Sequence, residues 1–164
     1  MTQRSRAMAV LCSLLYSIVA FAELPADRIV IDKSAHLMTL YRSGQQIRAY
    51  KVSLGGEPKG PKTRQGDHRT PEGDYVIDAR NEHSHYYKSL HVSYPNAADR
   101  DRARKLKANP GGDIMIHGLP NGEGYIGKAH LLHDWTDGCI AVTDEEMDEI
   151  WKLVPTGTVV QIQP

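Results

Sequence analysis

Alternating apolar and polar positions recur along the chain and predict a domain built mainly from β-strands. Residues 28–32, 37–42 and 47–54 carry this pattern, with Ser43-Gly44 as a turn between the second and third segments. They therefore predict an opening meander of antiparallel strands. The pattern returns at residues 73–79, 89–94, 113–117 and 158–162, while the Gly-, Pro- and charge-rich stretch 55–71 predicts a loop.

Two further segments show the patterns of helices. Residues 97–108 follow Asn96, a suitable N-cap, and their thin apolar content indicates a helix on the surface. Residues 143–154 begin with a capping box formed by Thr143 and Glu146. The apolar face of this second helix consists of Met147, Ile150, Trp151 and Val154. Together with a Gly-rich loop predicted over residues 118–127, these patterns describe a mainly β domain with two helices.

The N-terminus has the layout of a secretory signal peptide. Arg4 and Arg6 precede an apolar run over residues 7–19, and Ala20-Phe21-Ala22 offers small residues where signal peptidase cuts. We therefore expect residues 1–22 to be the signal and residues 23–164 the mature domain, with an uncleaved anchor as the alternative. Export across the inner membrane into the periplasm is the corresponding expectation.

Charge and cysteine content narrow the possible functions. The leader takes two of the 20 Lys and Arg, leaving 18 against 20 Asp and Glu, so nothing indicates binding to nucleic acid or to an anionic membrane. Cys12 also leaves with the leader, and Cys139 is then the one cysteine of the mature domain. An unpaired thiol in an oxidising compartment is a liability unless it is buried or used.

A candidate nucleophile and base can be named from the residues alone. Cys139 follows Gly138 on a turn just before the second predicted helix, and His117 ends a predicted buried strand and is followed by Gly118. A thiol near neutral pH is mostly protonated and needs a base to become a nucleophile. The alternative is a structural thiol with an unrelated histidine, and the residues alone leave the two interpretations open.

The motifs resemble those of the L,D-transpeptidase (YkuD) catalytic domain. Ile116-His117-Gly118 is similar to the family's strand-end His-Gly, and residues 136–140 are similar to its Ser/Thr-His-Gly-Cys segment. Residues 61–67 with 69–73 resemble its Thr-Pro-x-Gly loop and strand, and residues 29–32 with 37–41 its opening hairpin. The resemblance extends over roughly residues 28–163, nearly all of the mature chain.

The resemblance implies a fold, a chemistry and a set of roles. The fold would be an L,D-transpeptidase-type β-sandwich. Cys139 would be acylated by a peptidoglycan tetrapeptide stem with release of the terminal D-Ala, and His117, oriented by a backbone carbonyl, would be the base. The N–H groups of Gly138 and Cys139 would form the oxyanion hole. No cofactor or metal is implied, the partners would be stem peptides and a wall-anchored lipoprotein, and a monomer is expected.

Two departures from the family pattern leave the acceptor open. Asp137 stands where the family has a second histidine, and Ala141 stands where it usually has Arg or Asn. The acceptor could be another stem's amine, a lipoprotein lysine, a free D-amino acid or water. With water as acceptor, the enzyme would be an L,D-carboxypeptidase or an amidase acting on wall-linked peptides.

The segment between the two motifs is expected to cap the cleft. From the resemblance, the substrate-binding candidates are Gly118, Tyr125, Asp134, Trp135, Thr136 and Asp137. His130 in the same segment is expected to lie on a solvated lid.

Two other classes of function remain as alternatives. A zinc peptidase could use His83, His85 and His91, or His117, His130 and His133, although none of these sets has a convincing ligand spacing on a helix. A non-catalytic module could hold peptidoglycan in the same cleft.

Overall fold

Eight β-strands form the framework of residues 24–164, the part of the chain that the computed structural model describes. The strands are β1 Arg28–Asp32, β2 Leu37–Arg42, β3 Gln45–Lys51, β4 Gly73–Asn81, β5 Ser89–Val92, β6 Met115–His117, β7 Ile140–Ala141 and β8 Val159–Gln163. The predicted signal at residues 1–22 lies outside the described residues. Within residues 24–164, no helix is long and apolar enough to cross a bilayer.

All eight strands belong to one curled sheet in the order β3-β2-β1-β8-β4-β5-β6-β7. The predicted opening meander is confirmed, because β1, β2 and β3 pair antiparallel in sequence order. The chain beyond β3 returns to the opposite edge of the sheet, where Ser53 bridges Ala141 and Gly55 bridges Thr136. These bridges bring the loop after β3 against the segment that contains Cys139.

The helices begin where the capping residues predict. Helix α1, Ala97–Lys105, has Asn96 as its N-cap, and helix α2, Asp144–Leu153, has the predicted capping box of Thr143 and Glu146. A third, irregular helical segment of 3₁₀ type spans Gly124–Leu132, so the prediction of two helices was one too few. Short 3₁₀ turns have no periodic apolar face to detect, and Gly127 kinks this one with a positive φ of 49°.

The core lies between the sheet and helix α2. Helix α2 contributes Met147, Ile150 and Leu153, all buried, in agreement with its apolar periodicity. The sheet contributes Ile29, Ile31, Met38, Leu40, Ile77, Leu90, Ile116, Ile140, Val160 and Ile162. Because the strands on both sides of the cysteine and histidine motifs are anchored in this core, the site rests on rigid elements.

Candidate active site

Strand pairing brings Cys139 and His117 into one cleft. Strands β6 and β7 are parallel, with Ile116 opposite Ile140 and His117 opposite Ala141. Cys139 comes directly before β7, beside Met115, and side chains two positions apart on a strand face the same side. Cys139 and His117 accordingly both line a cleft of about 510 Å³. The sequence predicted the two residues separately, and the sheet register brings them together.

Cys139 presents a protonated thiol in this cleft. Its side chain is partly buried, and its Sγ lies 3.5 Å from the carbonyl oxygen of Asp113. Burial raises the pKa of the Cys139 thiol above its ordinary value, and the Met115 amide and the Lys62 ammonium only partly oppose this effect. The resting thiol is therefore neutral at pH 7 and depends on a base for nucleophilic attack.

His117 has the protonation state that a base requires. Its Nδ1–H donates to the Gly118 carbonyl oxygen at 2.7 Å, which leaves the lone pair on Nε2. The side chain is 4% exposed, and burial lowers the pKa of His117, so the neutral imidazole predominates at pH 7. The rings of Tyr86 and Trp135 pack against the imidazole, with centroids 4.8 Å and 5.9 Å away.

Gly118 orients His117 and does not line the cleft. A Cβ at Gly118 would lie 2.7 Å from Asp144 Oδ1 and 2.9 Å from the Tyr87 carbonyl oxygen. This close packing holds the carbonyl that orients His117. Gly118 is not among the residues that line the cleft. Its predicted place among the substrate-binding residues therefore finds no support, whereas the expected orientation of the histidine by a backbone carbonyl matches the observed contact.

Thr136 and Gly138 shape the turn that presents the cysteine. Gly138 has a φ of 128°, and a Cβ there would lie 2.5 Å from the Arg69 carbonyl oxygen. Its N–H donates to Thr136 Oγ1 at 3.1 Å, and Thr136 Oγ1–H donates to the Cys139 carbonyl at 2.8 Å. Of the two amides predicted to hold an oxyanion, only the Cys139 N–H lacks an acceptor among the described residues.

We expect Gly138→Ala to destabilise the protein more than Gly44→Ala does. Both glycines have positive φ, which costs an alanine about 1–2 kcal/mol, but nothing lies within 4 Å of the Gly44 position. The clash with Arg69 should add about 1–3 kcal/mol at Gly138. Urea unfolding of the two variants measures the difference. Equal losses of unfolding free energy would show that the backbone around Gly138 shifts without cost to relieve the clash.

The predicted lid residues divide between the cleft and its supports. Trp135, Thr136 and Asp137 line the cleft. Tyr125 is 86% exposed and does not line it. Asp134 does not line the cleft but connects its segment to the start of the chain: its carboxylate accepts from Leu54 N at 2.8 Å and contacts His36 Nε2 at 2.8 Å.

The expectation that His130 lies on a solvated lid was wrong. Its side chain is 7% exposed, and its Nδ1 lies 3.1 Å from Ser53 Oγ. The chain beyond β3 folds over this histidine, and that contact spans 77 positions in the sequence. A polar segment rich in glycine and histidine carries no local signal of such burial.

Several cleft residues were missed as candidates in the sequence. They are Lys62, Gln65, His68, Ser84, Tyr86 and Met115. His68 Nδ1 lies 2.7 Å from Asp137 Oδ1, so the loop after β3 contacts the family motif at the position where this chain departs from it. The resemblance had included residues 61–67 of this loop as a matching segment. Nothing in the residue types of Lys62, Gln65 or His68 indicated that their side chains would line the cleft.

The histidines proposed as zinc ligands have other neighbours. His91 Nδ1 pairs with Asp78, and His117 is hydrogen-bonded to Gly118. Across residues 24–164, no group of three or more His, Cys, Asp or Glu side chains is arranged to hold a metal ion.

Comparisons with known sequences agree with the resemblance. The model of the YkuD family, the L,D-transpeptidase catalytic domain, matches residues 26–162. The Escherichia coli (strain K12) protein named "Putative L,D-transpeptidase YafK" is 34% identical over 145 residues, covering 83% of this chain and 50% of that protein. The chain thus spans about half the length of the curated relatives it matches.

Solved structures confirm the predicted fold type. The helical cell shape determining protein Pgp2 from Campylobacter jejuni matches with a TM-score of 0.64 at 22% identity, over 84% of this chain and 47% of that one. L,D-transpeptidase 3 from Mycobacterium tuberculosis, in complex with a faropenem-derived adduct, matches with a TM-score of 0.57 at 16% identity, over 85% of this chain and 61% of that one. Identities this low support the fold alone.

Proposed function

Because the chain belongs to the YkuD family of L,D-transpeptidase catalytic domains, we propose that it is a cysteine acyltransferase acting on peptidoglycan tetrapeptide stems. One observation carries the proposal. The Cys139 thiol and the His117 imidazole, whose Nδ1–H donates to Gly118 and whose Nε2 lone pair is available, line the same cleft. This is the arrangement that a thiol nucleophile with a general base requires.

The first half-reaction forms an acyl-enzyme. His117 Nε2 takes the thiol proton as Cys139 Sγ attacks the carbonyl carbon that precedes the terminal D-Ala. The Cys139 N–H donates to the oxyanion that develops on the carbonyl oxygen. When the carbon–nitrogen bond breaks, His117 returns its proton to the amine, and D-Ala leaves while a thioester remains on Cys139.

The second half-reaction transfers the acyl group. An acceptor amine attacks the thioester, His117 takes the amine proton, and the carbon–sulfur bond breaks to restore the thiol. A stem side-chain amine would give a cross-link, and a lysine of a wall-anchored lipoprotein would give a protein attachment.

A hydrolytic reaction is the second candidate. Asp137, at the motif position that departs from the family, has a side chain that is 90% exposed and pairs with His68 at the cleft. This wall of the cleft is polar and reached by solvent, which favours water as an acceptor. The products would then be those of an L,D-carboxypeptidase or an amidase.

The proposal places the enzyme in the periplasm, where peptidoglycan lies. Its support is the signal-like pattern of residues 1–22: two arginines, an apolar run and the small residues before position 23.

Intact mass spectrometry of the mature protein with purified disaccharide-tetrapeptide tests the proposed function. A mass gain on Cys139 with release of D-Ala, followed by cross-linked dimer, is expected of a transpeptidase. Release of tripeptide alone would identify the hydrolytic reaction. If neither an adduct nor a product forms, and a β-lactam of the carbapenem type also fails to label Cys139, the proposal fails in favour of a binding module.

The pH dependence of alkylation should show that the resting thiol is neutral. Since burial raises the pKa of Cys139, its reaction with iodoacetamide should rise about tenfold per pH unit through neutral pH and level off only above the ordinary thiol pKa. A short unstructured peptide containing one cysteine is the control and should level off at lower pH. A plateau already reached below pH 7 would instead indicate a preformed thiolate–imidazolium pair.

A further inference from the structure

Lys62 is a buried cation in the wall of the catalytic cleft. It lies on the loop between β3 and β4, and its side chain is only 4% exposed. It nevertheless lines the cleft that contains Cys139 and His117. A buried ammonium is costly unless it is paired, so its presence in the wall of this cleft requires an explanation.

Asp67 holds Lys62 in place. Its Oδ1 accepts from Lys62 Nζ at 2.9 Å, and its Oδ2 accepts from the backbone N–H groups of Thr63 at 2.7 Å and Arg64 at 3.0 Å. Although burial alone would raise it, the Thr63 amide and the Lys62 ammonium lower the pKa of Asp67 to about 2. The carboxylate is therefore ionised and held largely by the loop backbone.

Lys33 is a second buried lysine, and its contacts are those of a structural residue. Lys33 Nζ donates to three acceptors: the carbonyl oxygens of Gly60 at 2.6 Å and Thr70 at 3.0 Å, and Glu72 Oε1 at 2.8 Å. An ammonium has three N–H donors, so Lys33 is fully satisfied. Lys62 Nζ has one acceptor, Asp67, among the described residues. Its two other donors have no acceptor among the described residues.

The chemistry of the proposed acyl donor supplies a matching group. A tetrapeptide stem ends in a D-Ala carboxylate, one residue beyond the carbonyl that Cys139 would attack. The positive charge that recognises this carboxylate must therefore lie close to the sulfur. Lys62 meets this condition, since its charge is near enough to lower the pKa of the Cys139 thiol, although burial dominates that pKa.

We infer that Lys62 binds the C-terminal carboxylate of the acyl donor and so restricts the enzyme to stems that end in a free D-Ala. This inference rests on the proposed function. Lys62 is a specificity-determining residue: one or two of its free N–H donors would hold the carboxylate while Asp67 fixes the side chain. The carboxylate then leaves with D-Ala when the thioester forms.

Binding to a chemically inactive protein tests the inference without turnover. In a Cys139→Ala background, isothermal titration calorimetry would measure binding of the tetrapeptide, of its C-terminal amide, and of a stem in which lysine replaces a diamino acid with a second, side-chain carboxylate. We expect the free acid to bind about 10- to 100-fold more tightly than the amide, as for a charged hydrogen bond. Lys62→Met should reduce acid binding to the level of the amide, and Lys62→Arg should restore most of the difference.

Several outcomes would overturn the inference. Equal binding of acid and amide to the Lys62 protein would do so, and this comparison needs no variant that could misfold. A preference for the acid that survives in Lys62→Met would do so too. If Lys62→Met instead removed only the discrimination against the lysine stem, the carboxylate recognised would be the side-chain carboxylate that lysine lacks, and not that of D-Ala. Failure of every stem peptide to bind would remove the proposed substrate class itself, and with it the inference.

Discussion

Replacing Cys139 by alanine is expected to abolish both D-Ala release and the covalent adduct while the fold is retained. The sulfur is the proposed nucleophile, and no other cysteine occurs among residues 24–164 to replace it. Because the side chain is partly buried and its hydrogen bond to the Asp113 carbonyl oxygen is a weak 3.5 Å contact, its loss should change the free energy of unfolding by about 1 kcal/mol or less. Intact mass spectrometry and urea unfolding measure the two effects.

Cys139→Ser is the matched control for this prediction. A serine is close in size and keeps a hydrogen-bond donor at this position, but its hydroxyl is a much weaker nucleophile than a thiol. Both variants should therefore bind a stem peptide without turning it over. Full activity in Cys139→Ala would contradict the assignment of the nucleophile and, with it, the acyl-enzyme mechanism.

Replacing His117 by alanine should reduce kcat/KM about 10²- to 10⁴-fold at neutral pH, the usual contribution of a general base. In the intact protein the base is active when neutral, so activity should fall as the pH drops through the pKa of His117. Burial lowers that pKa, which places the loss below the ordinary histidine range. In His117→Ala the step at the low pKa of His117 should disappear, and the residual rate should instead rise with pH up to the raised pKa of the Cys139 thiol, which ionises unaided.

His83→Ala provides a control histidine variant. His83 is exposed in the turn after β4 and does not line the cleft. Its variant should keep the wild-type pH profile of kcat/KM. If His117→Ala retained the loss of activity at the same low pH, the group responsible would be a residue other than His117.

Local signals in the sequence were sufficient for much of the fold. The alternation over residues 28–42 predicted β1 and β2 with their observed bounds, and the capping residues Asn96 and Thr143 predicted where the helices begin. These features depend on neighbours a few positions away, so the residues themselves determine them. The 3₁₀ segment Gly124–Leu132 was not predicted, because its turns are short and bury little apolar surface.

The candidate nucleophile and base were also visible in the sequence, since a glycine-flanked cysteine and a strand-end histidine are local motifs. Their meeting in one cleft was not. It depends on the parallel pairing of β6 with β7, whose partners lie 24 positions apart. The pairing of His117 with Gly118, by contrast, is a contact between sequence neighbours and follows once the strand ends there.

The residues themselves therefore determined the strands, the capped helices and the two reactive side chains of this protein. Only the tertiary structure decided which other groups surround them: Lys62 and His68 from the loop after β3, the ring of Tyr86, and the burial of His130. The loop after β3 contacts the segment that contains Cys139 through the bridges at Ser53 and Gly55. These contacts join residues 88 and 81 positions apart, and the pattern of neighbouring residues does not encode them.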